Sequence, residues 1–514
     1  MRIASFSVVL LAGYSCLCAA QTTPLRTVTG SVLNSATNEP IRRALVAVGP
    51  ALVLTGADGR FQAENIPDGQ IMVWTQKPGY FDCASVGCSL GSHATTIVTV
   101  QSGANEVLLK LVPESAVEGR ILDQDGEPVG NIKVTALGER FSNGIKQYAA
   151  QAAVTTDETG SYRIEGLISG SYMVKTTARA AFYLPFTGSI DVPQEMYPQR
   201  YYPNTPDMTS AQILQLKPGQ TASADFTLPR VAAVRISGSV APVLPNISST
   251  AEDASGDEMY LQARFQPQTG KFAAFLPAGS WTLHFGAIDG QGGNFTATET
   301  ITATKNVDNL RIVLQPLASI PLNIVNASGT ADTQFVSVSL LSREKREPVG
   351  FFNTGRLMKT AQTPDAIANV PPGKYSVLVS AANQCLDSLT SGNVDLLQND
   401  LVVLPGSQPQ PINLVLRNDC ATLQVSVHSE DPSARSFVLL VPSSRAILPI
   451  TMQLEPGASA TLGNLSPGEY QVYAFSNIDG LEYANPEVMR EYSGQQLTLA
   501  PNQHANVTVN MIAR

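Results

Sequence analysis

One strand tail recurs five times along this chain. It reads Ile66-Pro-Asp-Gly69-Gln-Ile-Met-Val73, Leu167-Ile-Ser-Gly170-Ser-Tyr-Met-Val174 and Leu276-Pro-Ala-Gly279-Ser-Trp-Thr-Leu283. Val370-Pro-Pro-Gly373-Lys-Tyr-Ser-Val377 and Leu465-Ser-Pro-Gly468-Glu-Tyr-Gln-Val472 complete the set. Successive glycines lie 94 to 109 residues apart. A period near one hundred residues predicts a string of similar domains, not a short-repeat solenoid. It divides the 514 residues into five segments, 26–113, 114–230, 231–316, 317–418 and 419–514, each long enough to bury its own core.

The residues around the glycine specify a tight turn entering a half-buried strand. Glycine gives the turn access to positive φ. Two positions on stand Ile71, Tyr172, Trp281, Tyr375 and Tyr470, and four positions on stand Val73, Val174, Leu283, Val377 and Val472. Residues of equal parity share a face of a sheet, so these pairs are predicted to point into a core. The four aromatics are accordingly structural, and Trp74, of opposite parity to Val73, faces the other way. Closing strands of alternating pattern follow at Val107–Leu111, Ala224–Leu228, Leu310–Leu314, Ile412–Leu416 and Val507–Met511. The linkers after them are short, which predicts a semi-rigid serial arrangement.

Composition agrees with strands. Charged residues are only 15% of the chain, and Thr, Ser, Val, Gly and Pro are abundant. A formal charge of −9 and the lack of a dense Lys/Arg stripe exclude a nucleic-acid partner. The first residues read as a secretory signal peptide over 1–20: Met1-Arg2, an apolar run from Ile3 to Leu11, then Cys18-Ala19-Ala20 before Gln21. No later stretch approaches a membrane span. The expected location is therefore secreted or periplasmic, at the cell envelope. Export leaves Cys83, Cys88, Cys385 and Cys420, an even number that predicts two disulfides: one closing a small loop, the other tying the fourth segment to the fifth. The competing reading at the first pair is metal binding with His93, which supplies too few ligands for zinc.

The first two segments share more than the turn. Gly30-Ser-Val32 matches Gly119-Arg-Ile121, Glu39-Pro-Ile matches Glu127-Pro-Val, and Thr55-Gly-Ala-Asp-Gly59-Arg-Phe61 matches Thr156-Asp-Glu-Thr-Gly160-Ser-Tyr162. With the Pro-Gly-x-Tyr-x-Val strand, this set resembles the carboxypeptidase regulatory-like domains (transthyretin-like, carbohydrate-binding-like fold) of secreted bacterial proteins, which are related to the CnaB-type modules of surface adhesins. The resemblance is fullest over 26–113 and 114–230, partial over 231–316, and rests on the signature strand beyond. It implies an all-β chain of five tandem Greek-key β-sandwich domains, Ig-like or prealbumin-like, without catalytic activity of their own. CnaB modules often carry a Lys–Asn isopeptide bond between first and last strands. No Lys lies in 27–34, 116–123, 234–240, 319–325 or 421–427, so that crosslink is not expected.

Motifs for catalysis are missing. His93, His284, His428 and His504 stand far apart, without a His-Glu-x-x-His neighbourhood. There is no Gly-x-Ser-x-Gly elbow and no phosphate-cradling Gly-x-x-x-x-Gly-Lys loop. Asp123-Gln-Asp125-Gly126-Glu127 has calcium-ligand spacing without the later acids of an EF-hand, and reads as a turn. No cofactor is expected. The candidate binding element is an insertion in the second segment, where Phe182, Tyr183, Phe186, Tyr197, Tyr201 and Tyr202 crowd 21 residues. Tyr183, Tyr197, Tyr201 and Tyr202 with Arg200, and Trp74 in the first segment, are the predicted ligand contacts, stacking on a sugar or a peptide. The competing reading folds this insertion over its own sandwich or the next one. The functional expectation is carbohydrate binding at the envelope. The alternatives are a structural or adhesive spacer with an envelope-protein partner, or an accessory arm of a separate hydrolase.

Overall fold

The computed structural model describes residues 25–514 except 83–95, 104, 181–194, 254–255, 257, 262, 328–334, 345–347, 354–364 and 432. Residues 1–24, which include the expected signal peptide, and Cys83, Cys88, His93 and Tyr183 lie outside the described residues.

Alternating burial produces the same strand plan in segment after segment. The opening strand lies between two others: antiparallel to the strand before the signature turn, and parallel to the closing strand. Leu25–Asn34 pairs in this way with Arg60–Pro67 and Glu106–Pro113. Val231–Ala241 pairs with Lys271–Pro277 and Val307–Val313. Ala318–Asn326 pairs with Ala366–Val370 and Ile412–Arg417. Ala421–His428 pairs with Ser459–Leu465 and His504–Ile512. In the second segment the closing strand is broken into Thr221–Ser223 and Phe226–Leu228, both parallel to Ser115–Asp123. A parallel pair cannot be joined by a hairpin, so each closing strand crosses from the other sheet, as in a Greek-key sandwich.

The second sheet is built on the signature strand. Gly69–Gln76 pairs with Leu45–Val48 and Thr96–Val100. Gly279–Ile288, Gly373–Ala381 and Gly468–Phe475 each find the equivalent two neighbours. The space between sheets is filled by inward residues: Val32, Phe61, Ile66 and Val73 in the first segment, and Leu423, Leu440, Leu465 and Val472 in the fifth. The fold is all-β, in tandem sandwiches. In the fifth segment the closing strand also pairs with the signature strand through Ala474↔Met511, so the two sheets join.

At the signature turn the aromatic ring folds back over its own turn. Tyr172, Tyr375 and Tyr470 donate their hydroxyls to the carbonyls of Ile168, Pro371 and Ser466, at 2.8, 2.7 and 2.7 Å. Trp281 Nε1 does the same to Pro277 at 2.9 Å. Each acceptor lies four residues earlier, so the ring fills the core while its polar atom closes the turn. The three tyrosines are buried and Trp281 partly so. Glycine is needed for two different reasons. Gly69 and Gly468 have φ of 127° and 149°, where side chains are strained, whereas a Cβ at Gly373 would stand 2.9 Å from the Tyr375 hydroxyl.

The described residues form two compact units: those up to Gly119 with 163–172 and 213–224, and 120–162 with 173–212 and 225–514. Within the second unit, contacts reach beyond serial order. The hairpin of Lys133–Ser142 and Ile145–Thr155 turns through Asn143 and Gly144, both at positive φ. Its tip rests on the fifth segment: a Cβ on Gly144 would stand 2.3 Å from the Tyr483 ring, and Ala484 N donates to Gly144 O at 3.1 Å. A strictly serial arrangement would hold these two segments apart. The fourth and fifth segments are joined by the Cys385–Cys420 disulfide, with Cα atoms 5.7 Å apart. Ala446 of the fifth is buried in the core of the fourth, and Leu386 N donates to Ser466 Oγ at 2.9 Å.

Candidate functional site

The insertion of the second segment is an arm that packs, and its residues divide between two cores. Glu195–Tyr197 adds a short strand beside Val231–Ala241, placing Met196 in the core of the third segment. Tyr197 is buried next to it. Burial, together with Asp123 and Glu195, raises its hydroxyl pKa. Tyr201 is fully buried at 0% exposure, against Leu137 and Met173. It can present no face to a ligand, which corrects the expectation for that ring. Hydrophobic contact with its own sandwich offers Tyr201 more than exposure would. Tyr202 is half-buried, edge-on to the core ring Phe226 at 6.1 Å. Arg200 N donates to Thr176 Oγ1 at 3.1 Å and its guanidinium to Gln199 O at 3.0 Å, while partial burial lowers its pKa. These residues are used in packing and backbone contacts and do not converge on an open site.

Trp74 lies elsewhere, on the outer face of the first segment's sheet, opposite Ala47 and half-buried. Its surroundings are apolar and open. Leu52 and Ile97 are each 64% exposed, and Leu54 and Met72 more than half. The Asp123 loop is a turn: Asp123 Oδ1 accepts from the backbone of Asp125 and Glu127 at 2.9 and 3.0 Å, and Arg230 supplies the positive charge beside both carboxylates. Among the described residues no group of three or more His, Cys, Asp or Glu has a metal-holding arrangement. Nor, among them, is any helix long and apolar enough to cross a membrane.

The open site sits beside the buried arm. A groove of about 970 Å³ runs along the hairpin 133–155, lined by Lys133, Arg140, Lys146, Tyr148, Lys175 and Met208. Glu258 of the third segment and Glu482 of the fifth also line it. Tyr201 and Leu137 form the layer beneath, against which Tyr148 and Met208 pack. The Lys175 ammonium stands 5.9 Å from the Tyr201 ring centre, and that of Lys146 5.7 Å from the Tyr148 ring. A single carboxylate organises the latter pair. Glu139 accepts from Lys146 at 2.9 Å and from the Tyr148 hydroxyl at 3.0 Å. That bond raises the pKa of Lys146, and burial raises that of Tyr148. Their order in the chain did not mark these residues as a site, because strand pairing across the hairpin brings them together: Glu139 faces Tyr148, and Phe141 faces Lys146. The signal that could have found them is Asn143-Gly144, a two-residue hairpin turn between alternating strands.

Comparison with known proteins gives the following. Residues 116–229 match the carboxypeptidase regulatory-like domain. No curated protein matches the sequence. Among solved structures the chain is similar to the Bacillus anthracis TIE protein, at 17% identity over 57% of this chain and 50% of that one, with a TM-score of 0.17. It is also similar to a streptococcal ancillary pilin, at 12% identity over 57% of this chain and 100% of that one, TM-score 0.18. A third is the shaft pilin SpaA of Lactobacillus rhamnosus GG, at 10% identity over 41% and 98%, TM-score 0.21. The chain thus spans about half the length of the TIE protein it matches.

Proposed function

We propose that this chain is an exported, non-catalytic scaffold of five β-sandwich domains, bounded at 26–113, 114–230, 231–316, 317–418 and 419–514, that binds carbohydrate at the cell envelope. The observation that carries the reading is the groove on the hairpin 133–155. It combines an open volume, a tyrosine fixed by Glu139, and polar groups on both sides. Sugars are held by such a mixture of ring faces and hydrogen-bonding edges. Most of the lining falls within residues 116–229, which match the carboxypeptidase regulatory-like domain. Export is supported by the N-terminal pattern and by a disulfide, which persists in an oxidising compartment. Glycan-array and polysaccharide pull-down binding by the mature protein test the reading. Blank results on all glycans sink it, and turnover of a peptide or glycoside would sink the non-catalytic part.

A second reading, a structural or adhesive spacer whose protein partner is another copy of the chain, is favoured by the apolar sheet face of the first segment. Ala51–Leu54 is the terminal strand of that sheet, and it carries Leu52 and Leu54 outward. Terminal strands with apolar outer residues readily meet their like. Sedimentation equilibrium decides it: self-association that Leu52→Glu abolishes supports this reading, and a monomer at all concentrations removes it.

A further inference from the structure

The groove is more cationic than a neutral sugar requires. The chain has 33 Lys and Arg in 514 residues and a formal charge of −9. Yet Lys133, Arg140, Lys146 and Lys175 gather on this one hairpin and the strand beside it. We propose that the groove binds an acidic polysaccharide, with uronate carboxylates paired to Lys146, Lys175 and Arg140. Hydroxyls of the same sugars are held by the acceptors Glu258 and Glu482. The inference rests on the carbohydrate reading above and names its substrate class.

Three features favour this ligand. The cations are seated: Glu139 anchors Lys146 next to Tyr148, and Lys175 stands near the Tyr201 ring, so neither ammonium must be ordered from a mobile stem on binding. The volume of about 970 Å³ lies at the upper end of ligand sites, enough for several sugar rings in a row. The lining also carries both signs of charge. Glu258 and Glu482 line the groove with the cations, and Glu482 lies near enough to Lys146 to act on its charge, which suits a chain bearing both carboxylates and hydroxyl donors. A nucleic acid would set its closely spaced phosphates against those carboxylates, a costly like-charge contact. Four cations against Glu258, Glu482 and the Glu139 that pairs with Lys146 leave the site net positive on a negative chain, which would also raise the local concentration of a polyanion.

Affinity electrophoresis of the mature full-length protein through gels containing alginate, dextran or double-stranded DNA tests the proposal. Alginate is expected to retard the protein, and less so as salt is raised. The double variant Lys146→Gln, Lys175→Gln should lose affinity by about tenfold, as expected for charge-assisted contacts, at an unchanged melting temperature. Should that variant misfold, Arg140→Gln, on an exposed position, is expected to weaken binding by about threefold. Alginate binding that survives these substitutions overturns the assignment of the groove. Tighter retention by DNA than by alginate overturns the ligand class. Binding of dextran without alginate overturns this inference and leaves the carbohydrate reading standing, whereas binding of no glycan removes both.

Discussion

Tyr470 and Tyr148 both stand on β-strands, one in the fifth segment and one in the second. Tyr470 is 3% exposed and donates its hydroxyl to Ser466, four residues back in its own turn. Tyr148 is half-buried beside a groove, and its hydroxyl goes to a carboxylate on the neighbouring strand. The first closes a turn and fills a core. The second lines an open groove and has a cation held beside it. Residue type does not separate the two roles; strand parity and the destination of the hydroxyl do.

That contrast can be broken most directly by truncation. Tyr470→Ala should cost about 3–5 kcal/mol, from the lost ring and the cavity it leaves, read as a shift in denaturant midpoint. Tyr148→Ala should cost only about 1 kcal/mol in the same measurement, because its ring is already partly in solvent. Equal costs would erase the distinction. Next in size is the crosslink at the junction of the fourth and fifth segments. Replacing Cys385 and Cys420 together by serine should destabilise by about 2–4 kcal/mol, while leaving alginate binding unchanged.

A smaller effect sharpens the comparison through pH. Burial pushes the Tyr470 hydroxyl up to about 12, and that of Tyr375 likewise. An unfolded tyrosine titrates near 10, so above that pH the unfolded chain releases a proton that the folded one keeps. The contribution is therefore full below about pH 10 and is lost as pH rises through about 12. Tyr470→Phe should cost about 1 kcal/mol at neutral pH for the lost hydrogen bond and should flatten the alkaline decline. The smallest effect lies at the acid end. Arg26 holds Asp68 below the usual carboxylate range through a side-chain hydrogen bond of 2.8 Å. The gain is present above the ordinary carboxylate pKa and fades as pH falls through the lowered one. Asp68→Asn should remove only that acidic part of the pH dependence of the melting temperature.

Much of this fold was legible because period-two burial and turn chemistry are local. Val73, Val174, Leu283, Val377 and Val472 could be assigned to cores from parity alone, and all five are buried. The same turns carry a further local signal. Four residues before the signature glycine stand Asn65, Asn369 and Asn464, each at positive φ where the ladder with the opening strand slips by one residue. The third segment has Phe275 there and keeps its ladder regular. The proposed binding surface was much less legible. A cluster of aromatics predicts contact but not with what, and Tyr201 found Leu137 and Met173 instead of solvent. Glu139, Lys146 and Tyr148 become neighbours only when Asn143 and Gly144 reverse the chain, while Lys175 and Glu482 arrive from far along it. Such a groove is a property of tertiary packing, which single-strand patterns do not encode.

On the proposed function, binding chemistry sits in the groove and not in the repeated tyrosines. Alginate affinity of Tyr148→Ala and Tyr470→Phe, measured side by side on the full mature chain, tests it most directly. The account predicts about tenfold loss for Tyr148→Ala, as expected for removal of a stacking ring, and wild-type affinity for Tyr470→Phe. Unchanged affinity for Tyr148→Ala, or a loss confined to Tyr470→Phe, would contradict it.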